Sequence, residues 1–169
     1  IMPSLVGSEM CIRDRLEAIN QALHLHVPLI KLMNTIRHHI ATHYSRDYLV
    51  SRGEFLTAHL MAAYLGYTFV DAADLLFFDQ NGAIDEAKTL AAYRRLPRHH
   101  GIVVPGFYGQ NAAGHVQLMA RGGSDISGAW LARLAQADLY ENWTDVSGIK
   151  MADPRIIQDL SLIHISEPT

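Results

Sequence analysis

Arg121-Gly122-Gly123-Ser124-Asp125, followed by the apolar run Ile126 to Ala135, is the stretch on which the reading of the fold turns. Gly122 and Gly123 can take backbone angles closed to residues with a Cβ and leave their N–H groups uncovered. Ser124 and Asp125 are good N-caps for the run behind them. A helix beginning here points N–H groups and the positive end of its dipole at whatever lies over the turn. Arg121 adds a planar fork suited to a carboxylate or phosphate, and Asp125 is placed to orient an amine or a hydroxyl. Taken alone, the turn is equally an ordinary strand–turn–helix connection with a solvent-facing arginine.

The order of elements around it argues for more. Gly101 to Gly109 reads as a buried strand, Gln110 to Gly114 as a turn and His115 to Ala120 as a second strand. After the glycine turn and its helix, Ala137 to Trp143 reads as a strand ending in Thr144-Asp145. Polar residues just past strand ends are where open α/β sheets place ligands. Upstream, Leu16 to Leu25 and Leu29 to Tyr44 carry helical apolar spacing interrupted by Pro28, and Gly53 to Leu65 reads as a helix stopped by Gly66. Tyr67 to Val70 is the next strand, Leu75 to Phe78 an apolar run, Asp79 to Gly82 a turn, and Asp85 caps a helix to Leu96 ended by Pro97. This alternation predicts an α/β layered domain.

Five segments, Ser51-Arg52-Gly53-Glu54, Val104-Pro105-Gly106-Phe107-Tyr108-Gly109, Arg121 to Asp125, Trp143-Thr144-Asp145-Val146-Ser147-Gly148 and Ala152-Asp153-Pro154-Arg155, stand in the order and at the spacing of one known group. Residues 48–159 thereby resemble the aspartate kinase branch of the amino-acid kinase family. The resemblance implies a partial three-layer αβα sandwich of the amino-acid kinase (carbamate kinase-like) type. It also implies phosphorylation of the side-chain carboxylate of L-aspartate by ATP with Mg²⁺, at the entrance to lysine, threonine and methionine synthesis. On that likeness Glu54 holds the substrate ammonium and Arg121 a substrate carboxylate. Ser124 and Asp125 complete the aspartate pocket, Arg121 and Asp125 being the catalytic candidates. Thr144, Asp145, Lys150 and Arg155 face the nucleotide. Phosphoryl transfer needs positioning and charge neutralisation more than covalent help, and Glu54 with Arg121 supplies the opposed charges that an amino acid requires. A relative acting on glutamate or acetylglutamate is the alternative, with Ser-Arg-Gly-Glu and Arg-Gly-Gly-Ser-Asp favouring aspartate. The likeness further implies a cytoplasmic homo-oligomer.

Two departures stand out. Lys150 occupies a position where the family usually has an aromatic residue, exchanging stacking for a possible phosphate partner. The family's Lys-Phe-Gly-Gly turn, whose lysine contacts the transferred phosphate, has no counterpart here, nor do its later nucleotide-site lysine and regulatory domains. The chain is therefore expected to be an internal fragment without kinase activity of its own. A non-functional reading frame is the other alternative.

The ends support this. Leu160 to Thr169 back-translates as CTGTCTCTTATACACATCTCCGAGCCCACG, whose reverse complement, read one base out of frame, encodes Val6 to Asp14. The shared word resembles a transposase adapter from sequencing libraries. Residues 1–15 and 160–169 are accordingly expected to lie outside the fold, with 16–159 a partial catalytic domain.

The chain has 169 residues, 49% hydrophobic and 18% charged, which fits one soluble globular domain. A net charge of −3 offers no basic footprint for nucleic acid or anionic membrane, and no apolar run reaches membrane-spanning length. The one cysteine, Cys11, falls in the adapter word, so no disulfide framework is expected. His38, His39, His43, His99 and His100 show no ligand spacing and read as surface histidines, so no protein metal site is expected. Glu54 has a plainer reading as a carboxylate compensating the dipole at the start of its helix, and Asp145 and Asp153 as turn formers. Tyr108, Tyr140 and Trp143 read as packing residues rather than a base-stacking platform.

Overall fold

The computed structural model describes residues 3–97, 101–120, 122–143, 149–150 and 162–163, with side chains described for 12–97, 101–120 and 122–143. The chain divides into two compact units, Ile1–Ala137 and Asp138–Thr169. The first unit runs α1 (Pro3–Ala22), α2 (Leu29–Thr42), α3 (Arg46–Leu65), β1 (Thr68–Phe69), α4 (Ala72–Leu75), α5 (Glu86–Tyr93), β2 (Ile102–Val103), β3 (Tyr108–Gln110), β4 (Val116–Leu118) and α6 (Gly123–Ala135). In the second, β5 (Ile149–Lys150) pairs antiparallel with β6 (Leu162–Ile163).

Two helices form on either side of Pro28, but α1 starts at Pro3 rather than Leu16 and stops at Ala22 rather than Leu25, while α2 starts at Leu29 as Pro28 predicts. The connection between α1 and α2 is clamped by Asn20, whose side-chain amide donates to the Val27 carbonyl at 2.9 Å and accepts from its N–H at 3.0 Å. Leu16, Leu29, Ile36, Leu56 and Leu60 then meet in one apolar cluster that joins α1, α2 and α3. Helix α3 begins seven residues before the Gly53 start read from the sequence, because Ser45 is an effective cap: its hydroxyl accepts from the Tyr48 N–H at 3.3 Å. It ends as expected at Gly66, whose φ of 67° lets its N–H reach the Ala62 carbonyl.

Strands β1 and β2 are parallel, Thr68 opposite Ile102 and Phe69 opposite Val103, and the crossover between them carries α4 and α5. A further parallel bridge joins Phe77 to Gln110, and β3 runs antiparallel to β4 with Tyr108 opposite Leu118. Ala72, Leu76 and Tyr108 form a second buried cluster, flanked by Val104, Val116, Leu118 and Met119. Asp85 caps α5 through the Lys88 N–H at 3.0 Å, and Asp79 closes the Asn81-Gly82 turn by accepting from Asn81 and Ala83.

Three further expectations are corrected. The single strand over 101–109 is two short ones, because Pro105 has no N–H to give a ladder and Phe107 sits at φ 59°, outside strand geometry. Ser124 and Asp125 are not the N-caps of α6. Gly122, at φ 82°, holds that place without a side-chain bond, and the two polar residues fall in the first turn. Ala137 to Trp143 carries no strand, since nothing among the described residues offers it a ladder; Leu139 and Trp143 are left 73% and 87% exposed.

Among the described residues no helix is long and apolar enough to cross a membrane. His59 on α3 stacks on Phe69 at 3.6 Å with its Nε2 buried and unpartnered. Burial holds its pKa below the usual 6.5, against a smaller opposing pull from Asp71. The folded state therefore prefers neutral His59, and its contribution is present above the unfolded value and lost as pH falls through it. His39, exposed on α2, has the same sign, through slight desolvation and then His43, Arg52 and His38. Urea midpoints measured from pH 7.5 to 5 are expected to fall, and His59→Phe is expected to flatten that slope in part. An unaltered slope in the variant would exclude His59 as its source.

Candidate active site

The glycine pair does two separate jobs. Gly122 supplies the left-handed backbone that starts α6. Gly123 is buried, and a Cβ there would lie 2.7 Å from Met119 Cβ and 2.9 Å from Phe107 Cβ, so only glycine lets the helix start settle onto the 105–107 turn. The two segments are tied by Ser127, whose hydroxyl donates to the Gly123 carbonyl at 2.7 Å and accepts from the Phe107 N–H at 3.0 Å. The Phe107 carbonyl in turn accepts from Met119 at 2.8 Å. Gly106 packs less tightly, its missing Cβ falling 3.1 Å from Ser124 Oγ.

On that support the first turn of α6 presents Ser124 and Asp125, both exposed. The first helical bond runs from Ile126 N–H to the Gly122 carbonyl, so the N–H groups of Gly123 and Ser124 have no helical acceptor. This is an arrangement that accepts an anion.

Glu54 stands on α3, exposed, and its side chain makes no hydrogen bond or ion pair to another described residue. Because α3 starts at Arg46, Glu54 lies two turns inside the helix. The dipole-compensating role is therefore removed, since that effect fades within the first turn. Arg121, Thr144, Asp145 and Arg155 lie outside the described residues, and of Lys150 only the backbone, in β5 opposite Leu162, is described.

The sequence reading missed a buried polar network beside these residues. Arg52, 6% exposed, lies over the rings of Tyr48, Phe55 and Tyr108 at 4.3, 4.6 and 5.2 Å. It donates to the Tyr48 carbonyl and the Ser51 hydroxyl, and its Nη1 is 3.9 Å from Asp71. Tyr108, fully buried, donates its hydroxyl to Asp71 Oδ1 at 2.8 Å. Burial first, and then the Asp71 carboxylate, push the Tyr108 pKa well up, so this hydroxyl keeps its proton. The available signal was spacing: Tyr48, Arg52, Phe55 and Leu56 follow a helical i, i+4, i+7, i+8 pattern, which places Arg52 on the apolar face.

The larger hollows lie elsewhere. One of about 840 Å³ is bounded by Glu17, Asn20, Lys31 and Asn34 on α1 and α2, and touches none of the five motifs. Another, of about 600 Å³, lies between the ends of α5 and α6 around Arg94 and Arg133. Glu54, Ser124 and Asp125 are all exposed, and among the described residues no three His, Cys, Asp or Glu side chains converge.

Comparison with known proteins shows what the chain is similar to. The sequence profile described as the amino acid kinase family matches residues 12–168. The chain is similar to aspartokinase 3 of Bacillus subtilis, 34% identical over 122 residues, which is 67% of this chain and 27% of that protein. It is similar in structure to the crystal structure of Clostridium acetobutylicum aspartate kinase, at 39% identity and a TM-score of 0.77, covering 91% of this chain and 36% of that one. It is also similar to E. coli aspartokinase III in complex with aspartate and ADP, at 25% identity and a TM-score of 0.67, covering 96% of this chain and 42% of that one. The chain thus spans well under half the length of these relatives. Its short parallel and antiparallel strand pairs with their helices are a partial version of their α/β fold, and the chain belongs to the amino acid kinase family.

Proposed function

We propose that this chain is a catalytic-domain segment of an aspartate kinase, which transfers the γ-phosphoryl group of ATP to the side-chain carboxylate of L-aspartate and yields 4-phospho-L-aspartate and ADP. The observation that carries this reading is the exposed first turn of α6, with Ser124 and Asp125 presented and Arg121 immediately before Gly122, in a chain 39% identical to an aspartate kinase of known structure. Residues 16–159 are the part assigned to the domain.

In this reading Glu54 pairs with the substrate ammonium and Arg121 with a carboxylate, so the amino acid is held from both ends. Ser124, Asp125 and the N–H groups at the start of α6 orient what lies over the helix. A side-chain carboxylate oxygen then attacks the γ-phosphorus while the bond to the β-phosphate oxygen breaks, and no protein nucleophile takes part. Thr144, Asp145, Lys150 and Arg155 serve the nucleotide. Mg²⁺ takes oxygen ligands, chiefly phosphate and water with one or two carboxylates, a donor type that the exposed Asp125 supplies; bound with ATP, it would neutralise charge on the phosphates. A cytoplasmic location and homo-oligomeric assembly belong to the same proposal.

Calorimetric titration of the 169-residue chain with L-aspartate tests it. Saturable binding is expected, weakened about tenfold or more in Arg121→Ala, because a charged hydrogen-bonded partner is lost. Absence of binding would refute the assignment, and equal or tighter binding of L-glutamate would move it to another acidic substrate.

A further inference from the structure

Arg52 is a conspicuous choice for its place in the fold. It lies between the α1–α2–α3 apolar cluster, reached through Tyr48 and Phe55, and the second cluster, reached through Tyr108. An apolar side chain would join these two cores without removing a charge from water. The guanidinium instead imposes direction, through bonds to the Tyr48 carbonyl at 3.2 Å and the Ser51 hydroxyl at 2.9 Å.

From Arg52 a continuous set of contacts leads to the start of α6. The Asp71 carboxylate faces the guanidinium at 3.9 Å, accepts from the Ala73 N–H at 3.0 Å as the cap of α4, and accepts from Tyr108 at 2.8 Å. Tyr108 is bonded along the chain to Phe107, a bulky residue at φ 59°, a strained conformation that persists only when its surroundings over-determine it. Those surroundings are Tyr108 on one side, Ser127 and Met119 on the backbone, and Gly106 against Ser124 on the other. At the opposite end, Arg52 and Glu54 share α3 two residues apart, about 200° around the helix. One therefore points into the core as the other points out.

We propose that Arg52, Asp71 and Tyr108 are a positioning triad that fixes the separation between Glu54 on α3 and the Ser124–Asp125 turn of α6, and so sets affinity for the amino-acid substrate. The proposal rests on the functional reading above. A site that grips a small zwitterion from both ends tolerates only about 0.5 Å of error in that separation. None of the three groups touches the substrate; they act through the elements they hold.

The test is calorimetric titration of the full 169-residue chain with L-aspartate, alongside urea denaturation of each variant. Tyr108→Phe removes one hydroxyl and keeps the ring, and is expected to raise Kd about fivefold. Arg52→Lys keeps the charge but loses the planar fork that stacks and bonds together, and is expected to raise Kd as well. Ile36→Val is the control, since it trims the α1–α2–α3 cluster and lowers the urea midpoint while leaving every hydrogen bond and ion pair of the triad in place. Its Kd is expected to stay within about twofold of wild type. An unchanged Kd in Tyr108→Phe, or the same rise in Ile36→Val, would overturn the positioning role. Failure of the wild-type chain to bind L-aspartate would instead sink the functional reading, and this inference with it.

Discussion

Gly109→Ala is expected to cost at least about 3 kcal/mol of folding stability, enough to leave a large unfolded fraction in a domain whose whole margin is on the order of 5–15 kcal/mol. The added Cβ would meet the Leu76 carbonyl oxygen and would lie 2.9 Å from the Phe78 ring. Neither neighbour can retreat cheaply. The Leu76 carbonyl accepts from Gln110 N–H at 2.8 Å, and the Gln110 carbonyl accepts from Phe78 N–H at 2.8 Å, so moving the backbone apart breaks the bonds that join this segment to β3. The clash would also displace Tyr108 and with it the turn under α6. Gly53→Ala is the contrasting case: Gly53 lies within α3 with nothing within 4 Å of an added Cβ, and there the change is expected to stabilise by about 0.5–1 kcal/mol. Urea midpoints by circular dichroism check both signs, and a Gly109→Ala midpoint near wild type would show that β3 is far more pliable than its bonding implies.

Where one residue carries a local signal, the sequence was readable. Pro28, Gly66 and Asp85 each mark a boundary by what the backbone can or cannot do there, and each boundary falls where that chemistry puts it. The errors arise where the deciding partner is distant. The apolar run over 101–109 looks like one strand until Phe107 is bonded to Ser127, twenty residues on, in a backbone geometry no local pattern announces. Ser124 and Asp125 look like caps, but the close packing of Gly123 on Phe107 and Met119 begins the helix two residues earlier. The candidate site divides in the same way. Glu54, Ser124 and Asp125 stand in motifs that could be picked out from the sequence, and all three are exposed. Arg52 and Asp71 were overlooked because a charged residue on an apolar face reads as surface until its partners are known, and those partners are separated along the chain.

Glu54→Gln is expected to separate function from folding. Glu54 is exposed and its side chain is bonded to no other described residue, so losing its charge is expected to change stability by no more than about 0.5 kcal/mol. For an amino-acid ligand the consequence is large. The carboxylate is the proposed counter-charge for the substrate ammonium, and glutamine keeps the shape while replacing one acceptor oxygen by a donor that faces the ammonium's own donors. A hydrogen bond to a charged group contributes about 1.5–3 kcal/mol, so Kd for L-aspartate is expected to rise by up to about a hundredfold. The pairing of the two measurements is what decides. A raised Kd with an unmoved urea midpoint assigns Glu54 to the ligand. An unmoved Kd would remove it from the site and leave Arg121 without an opposing charge, while a lowered midpoint would reveal a structural role that its surroundings on α3 do not foretell.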